Sequence, residues 1–250
     1  MTKLYPVIII LLAVLSFCRS QVDVYDGFET TKLSNIWSKD RMVKESLKMQ
    51  QNIVRKGHSA AMITLKSGDI FEPGIGKSKD TERDELCEAD RLFSVEGNTY
   101  EYQFSLFLPN NFLLVPVRLV IAQWKQYCNG VSLCDDDSPV MAIRYVSGKL
   151  FITIQTDTTT VTVFQTTDEV RNKWLDFKFK VRFSRKADGL VEAWLNETQI
   201  INFKGITCYS SKKGYPDKSY FYFKTGLYRD LMPEPMTIYI DEYGKKKLTE

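Results

Sequence analysis

Phe177-Lys178-Phe179-Lys180-Val181-Arg182-Phe183 alternates apolar and cationic residues without a break. Successive side chains of a strand project to opposite faces, so Phe177, Phe179, Val181 and Phe183 share one face and the cations take the other. The same period of two recurs at residues 60–65, 99–108, 118–124, 140–145, 150–156, 160–165, 175–184, 190–195, 220–225 and 236–243. Turn signals such as Ser147-Gly148, Ala187-Asp188-Gly189 and Asn196-Glu197 separate these runs. The pattern predicts an all-β antiparallel sandwich, with helix confined to a turn near 33–37 or 167–171. Pro216, Pro233 and Pro235 fall in loops beside the late strands. No Pro- or Gly-rich linker and no internal repeat divides residues 21–250, which read as a single domain.

Composition agrees with a packed sheet protein. Of 250 residues, 44% are hydrophobic, 13% aromatic and 26% charged, which excludes a disordered chain. Lys and Arg number 34 against 31 Asp and Glu, so no basic excess points to a nucleic-acid partner. Lys3, an apolar stretch over 7–17, and small Cys18 and Ser20 before Gln21 describe a signal peptide over 1–20. That stretch is too short to span a bilayer, which takes ~20 residues. The expectation is a secreted monomer with no membrane association after cleavage. The sequon Asn196-Glu197-Thr198 is then a candidate glycosylation site.

Export makes the cysteines candidates for disulfides. Cys87, Cys128, Cys134 and Cys208 follow the signal and allow three pairings. The short loop between Cys128 and Cys134 favours a local bridge, which leaves Cys87 to join Cys208.

A single histidine, His58, removes multi-histidine metal sites and histidine-pair metalloproteases. A Ser-His-Asp triad would need His58, and no nucleophile-elbow pattern lies near it. Asp84-Glu85-Leu86-Cys87-Glu88 lacks the acid spacing of a sandwich-type glycoside hydrolase. What remains is polar residues on strand faces. Gln123 and Lys125 share a face by alternation, as do Tyr220, Tyr222 and Lys224, while Phe221 and Phe223 turn inward. Arg83 and Glu85 share another face, and Arg144 interrupts an apolar strand. Cations, an amide and phenols together suit an anionic sugar better than a neutral one.

Arg83-Asp84-Glu85-Leu86, Gln123-Trp124-Lys125, Val191-Glu192-Ala193-Trp194-Leu195-Asn196 and, above all, Tyr222-Phe223-Lys224-Thr225-Gly226-Leu227-Tyr228-Arg229 resemble the jelly-roll polysaccharide lyases, a concanavalin-like fold. The resemblance runs from Asp26-Gly27-Phe28-Glu29 to Ile238-Tyr239-Ile240-Asp241. It implies an antiparallel β-jelly roll that cleaves an acidic, uronate-containing polysaccharide by β-elimination, without a cofactor for the chemistry. It also implies catalytic roles for Arg83, Gln123, Lys224 and Tyr228, and substrate binding by Glu85, Lys125, Arg144, Tyr222 and Arg229. Arg83 and Gln123 would neutralise the carboxylate as charge develops on it. Tyr228 would serve as base and acid.

Many relatives carry histidine where this chain has Lys125. That departure favours elimination by one tyrosine, which needs the C5 hydrogen and O4 on the same side, as in β-D-glucuronate or β-D-mannuronate. The alternative reading is a non-catalytic, lectin-like carbohydrate-binding module on the same fold. Two acidic features are candidate calcium sites, Asp135-Asp136-Asp137 and a clamp of Glu29 with Asp241 where the termini meet.

Overall fold

A computed structural model of the chain describes residues 23–38, 42–43, 45–70, 80–128 and 138–249. Its strands in chain order are β1 (Asp23–Asp26), β2 (Trp37–Ser38), β3 (Leu47–Gln50), β4 (Ala60–Leu65), β5 (Thr81–Glu88), β6 (Ser94–Val95), β7 (Thr99–Phe107), β8 (Leu119–Gln126), β9 (Met141–Val146), β10 (Lys149–Gln155), β11 (Thr160–Gln165), β12 (Trp174–Arg182), β13 (Leu190–Leu195), β14 (Thr198–Lys204), β15 (Tyr220–Asp230) and β16 (Met236–Lys247). They form two antiparallel sheets. The first runs β14-β13-β12-β7-β16-β4-β3, with β1 on β16; the second runs β11-β10-β9-β8-β15-β5-β2, with β6 on β15. Repeated crossing of the chain from sheet to sheet gives the jelly-roll sandwich.

The alternation that opens the sequence is borne out. Phe177, Phe179, Val181 and Phe183 are buried, and Phe104, Phe179, Trp124 and Phe223 meet between the sheets. The Trp124 ring lies 4.8 Å from Phe179 and 4.9 Å from Phe223, so β12 of one sheet is locked to β8 and β15 of the other. Such contacts add to the gain from burying large apolar surfaces, about 0.5–1.5 kcal/mol per aromatic pair. The turns also match their residues. Ser147 and Gly148 both have positive φ, as do Asn196 and Glu197, which is the backbone of tight hairpins between β9 and β10 and between β13 and β14.

One expectation needs correction. Helical geometry is absent at 33–37 and 167–171; among the described residues it consists of single 3-10 turns at Asp90–Leu92 and Ser211–Lys213. The segment Thr81–Glu88, which carries Arg83 and Glu85 on one face and is not among the alternating runs, is a strand placed between β15 and β2.

Register irregularities shape the second sheet. On β8, Ala122 faces Ile143 while Val120 faces Arg144, so one extra residue is accommodated at Ile121. A bulge of this kind reverses the alternation beyond it. Gln123 and Lys125 thus share the outer face with Val120, and Leu119, Ile121, Ala122 and Trp124 pack into the core.

Candidate active site

The outer face of the second sheet carries a cavity of about 330 Å³ lined by Arg83, Arg118, Val120, Gln123, Lys125, Ser138, Pro139, Arg144, Lys224 and Tyr228. Strand pairing explains the assembly. Lys224 on β15 stands opposite Gln123 on β8, and Tyr222 stands opposite Lys125. Tyr228 faces Arg83 on β5 and Val120 on β8, which in turn faces Arg144 on β9. Residues directly opposite in a ladder point the same way, so these side chains converge on one face. The core beneath fixes that choice, because Phe221, Phe223 and Leu227 of β15 are buried on the other side.

Gly226 lets β15 pass close to β5. A Cβ at this position would lie 2.3 Å from the Asp84 carbonyl oxygen, and the backbone φ is +142°. Only glycine fits such a conformation and approach. Its place between Lys224 and Tyr228 sets where both side chains emerge.

The cavity floor is a buried polar network. Glu85 accepts hydrogen bonds from the Gln123 amide and, at 2.9 Å, from Lys224 Nζ. Burial alone would raise the Glu85 pKa, but Lys224 first, then Arg83 and Gln123, hold it below the usual carboxylate value. Lys224 and Glu85 are almost fully enclosed. Above this floor, the Arg83 guanidinium lies 4.5 Å from the Tyr228 ring centre and that of Arg118 lies 5.5 Å from it. Asp230 anchors Arg118, pairing with its guanidinium at 2.7 Å and accepting its backbone N–H at 2.9 Å. Arg144 donates to the Thr153 hydroxyl at 3.4 Å. Among the described residues the lining holds five cations, one phenol and no carboxylate. Such a site attracts an anion and offers a proton-transferring group beside it.

Arg83, Gln123, Lys125, Arg144, Lys224 and Tyr228 are thus brought together, and three expected residues are placed otherwise. Glu85 lies beneath the lining and positions Lys224 and Gln123. Tyr222 is buried, with its ring stacked 5.0 Å from that of Phe93. Arg229 is turned to the opposite face, where its guanidinium binds Glu82 at 2.9 Å and the Glu234 carbonyl at 2.7 Å. The sequence reading missed Arg118: counting by twos from Gln123 puts it on the core side, and the bulge at Ile121 returns it to the cavity.

Local geometry bears on the remaining expectations where their residues are described. Asp241 accepts backbone N–H groups from Arg55, Lys56 and Glu242, and Glu29 accepts that of His58. Donor hydrogens therefore point at these oxygens, and the pair clamps loop 55–58 rather than fitting calcium. Asp135, Asp136 and Asp137 lie outside the described residues. Cys87 and Cys208 are separate buried thiols, which corrects the expected bridge: Cys87 faces the Glu88 carbonyl at 3.6 Å, and Cys208 lies near Glu96, Arg185 and Asp157. Cys128 is disulfide-bonded, and its expected partner Cys134 lies outside the described residues. Asn196 is exposed at a hairpin turn, its side-chain oxygen accepting the Asp176 N–H at 2.9 Å.

Solved structures share this architecture. An endo-β-1,4-glucuronan lyase from the fungus Trichoderma reesei matches with a TM-score of 0.70 and 19% identity, covering 90% of this chain and 95% of that one. The alginate lyase AlgAT5 of polysaccharide lyase family 7 matches with a TM-score of 0.56 and 16% identity, covering 84% and 85%. An alginate lyase from Corynebacterium sp. matches with a TM-score of 0.54 and 18% identity, covering 82% of each chain. At these identities the likeness concerns the fold. A comparison with curated protein sequences finds no match. The polysaccharide lyase family model, however, matches residues 25–244, nearly the whole sandwich and every residue of the cavity, and the chain belongs to that family.

Proposed function

We propose that the protein is a secreted lyase that cleaves a uronic-acid polysaccharide by β-elimination, acting on β-D-glucuronate or β-D-mannuronate chains. The observation that carries this reading is a cavity whose lining, among the described residues, holds five cations, no carboxylate and Tyr228. Glucuronan and alginate, for which the structural neighbours are named, are uronate polymers and agree with it. Secretion rests on the signal-like residues 1–20.

The substrate carboxylate meets Arg83 and the Gln123 amide, with Lys125 adding charge. These donors stabilise the enolate-like charge that builds up when C5 loses its proton. Tyr228 acts as its phenolate: it takes that proton and becomes the phenol, the freed electron pair forms the C4=C5 double bond, and the C4–O4 bond breaks. The same tyrosine then returns the proton to O4, so one phenol completes the cycle when the C5 hydrogen and O4 lie on one side of the ring. Lys224 and Glu85 hold the floor in place.

Ultraviolet absorbance of the unsaturated product, followed on glucuronan, polymannuronate and polyguluronate, tests this. We expect turnover on the first or second substrate, and a loss of about 10²–10⁴-fold in kcat for Tyr228→Phe. Activity confined to polyguluronate, or a Tyr228→Phe variant as active as the parent, would overturn the single-tyrosine mechanism.

A further inference from the structure

The first sheet carries a cavity of its own, of about 300 Å³, on the side of the sandwich away from Tyr228. That is the small end of the ~300–1,000 Å³ range of small-molecule sites. Gln103 on β7, Lys178 on β12 and Trp194 on β13 stand directly opposite one another in the ladder. Their neighbours Phe177, Phe179 and Ala193 are buried, so alternation turns this row outward. Gly244 on β16 faces Gln103 at the end of the row. A Cβ at Gly244 would lie 2.9 Å from Gln103 Cγ, so glycine leaves the amide its room.

Two backbone irregularities supply the walls. The β16 register shifts between Asp241 and Gly244, and Glu242 takes a φ of +55° there and lines the cavity. The β13–β14 turn holds Glu197 at a φ of +68°, and it lines the cavity too. Left-handed backbone at residues other than glycine costs free energy, and such residues gather at binding sites. Among the described residues the lining sets Arg55, Lys56 and Lys178 against Asp176, Glu197 and Glu242. Asp176 engages the Arg55 guanidinium at 2.7 Å, and Glu242 lies 3.6 Å from Lys56 Nζ. This balance contrasts with the five cations around Tyr228 and does not select an anion.

The Lys178 ammonium lies 4.4 Å from the Trp194 ring centre, so the indole face is turned toward electropositive groups in the cavity. An indole face ringed by an amide, an ammonium and carboxylates matches an uncharged pyranose, which has an apolar C–H face and a rim of hydroxyls that donate and accept. We propose that this cavity binds a neutral pyranose, which stacks on Trp194 in place of the Lys178 ammonium and gives its hydroxyls to Gln103, Lys178 and Glu197. The sugar belongs either to a neutral polysaccharide or to an N-glycan on Asn196, which lies between Trp194 and Glu197 in the chain and whose side-chain oxygen is held by the Asp176 N–H at 2.9 Å. The site is independent of the lyase reading, because it shares no lining residue with the cavity around Tyr228.

The test titrates cellotetraose and N,N′-diacetylchitobiose by calorimetry into Thr198→Ala protein, which lacks the glycosylation sequon. We expect at least one probe to bind, and Trp194→Ala on that background to weaken it at least about tenfold. Gln103→Ala, at an exposed position, gives a smaller loss and decides alone should the melting midpoint show Trp194→Ala to be unfolded. The parent secreted from a eukaryotic host separates the sources: a glycan seated in the cavity blocks the probe until an endoglycosidase removes it, and a parent that binds the probe equally before and after that treatment assigns the cavity to free polysaccharide. Failure of both probes to bind, or undiminished binding by the variants, overturns the site. Trp194→Ala should keep parental turnover of uronan, and a parent with no turnover on any uronan overturns the lyase reading while the titrations still read this cavity.

Discussion

Glu85 has both carboxylate oxygens engaged, one by the Gln123 amide and one by Lys224 Nζ. Glu85→Gln would leave Lys224 buried without its counter-charge, a change that costs roughly 3–5 kcal/mol. We expect a large drop in the melting midpoint together with loss of turnover. Glu85→Gln combined with Lys224→Met removes the stranded charge, so it should regain most of the stability and none of the activity. A double variant as unstable as the single one would show that the pair is not the source of the effect. At this scale the sequence was readable where alternation held. Gln123, Lys125 and Lys224 follow from parity along their strands. Parity also speaks against Arg229, which shares odd spacing with buried Phe221, Phe223 and Leu227; its position beside Tyr228 in the family motif led the reading astray. Arg118 was unreadable for another reason, since nothing in Leu119-Val120-Ile121-Ala122 announces a bulge among uniformly apolar residues.

Strand β5 shows why apolar alternation does not mark every element. Thr81-Glu82-Arg83-Asp84-Glu85-Leu86-Cys87-Glu88 is dense in charge, and such a run normally reads as a solvated loop. Here Glu82 pairs with Arg229, Glu85 with Lys224 and Glu88 with Lys245, at 2.9 Å, 2.9 Å and 3.0 Å. Each partner lies on β15 or β16, more than 130 residues later in the chain. Long-range ion pairing replaces apolar alternation, and no local window contains it. The seam between β5 and β15 also depends on Gly226. Gly226→Ala would force a side chain onto the Asp84 carbonyl and into an unfavourable φ, at about 1–3 kcal/mol or more. The melting midpoint should fall by several degrees, and turnover should fall further than stability explains, because Tyr228 and Lys224 shift with the strand. A Gly226→Ala variant with parental kcat would show that the seam does not set the site.

The balance of buried acids across the molecule sets how its stability depends on pH. Asp84 is fully buried, and burial first, with the Asp69 charge, pushes its pKa up to about 7 despite the N–H of Val43. Asp241 is pushed up to about 6, again chiefly by burial, with the Glu242 charge opposing the N–H groups of Arg55 and Lys56. Both values exceed the ordinary 3.8, so the folded protein holds protons that the unfolded chain releases. The stability this provides is complete below about pH 4 and is lost as pH rises through 6 and 7. Glu85, Asp176 and Asp188 are shifted downward, so their contributions are already complete above the ordinary carboxylate range and do not change across this window. The parent should therefore melt several degrees higher at pH 5 than at pH 8. Asp84→Asn keeps an acceptor for the Val43 N–H at 2.7 Å and removes the titration, so its melting midpoint should be flatter over that range and above the parent's at pH 8. A parent midpoint that rises from pH 5 to pH 8 would mean that Asp84 and Asp241 are buried as charged, compensated groups, and that the sandwich tolerates them through partners elsewhere.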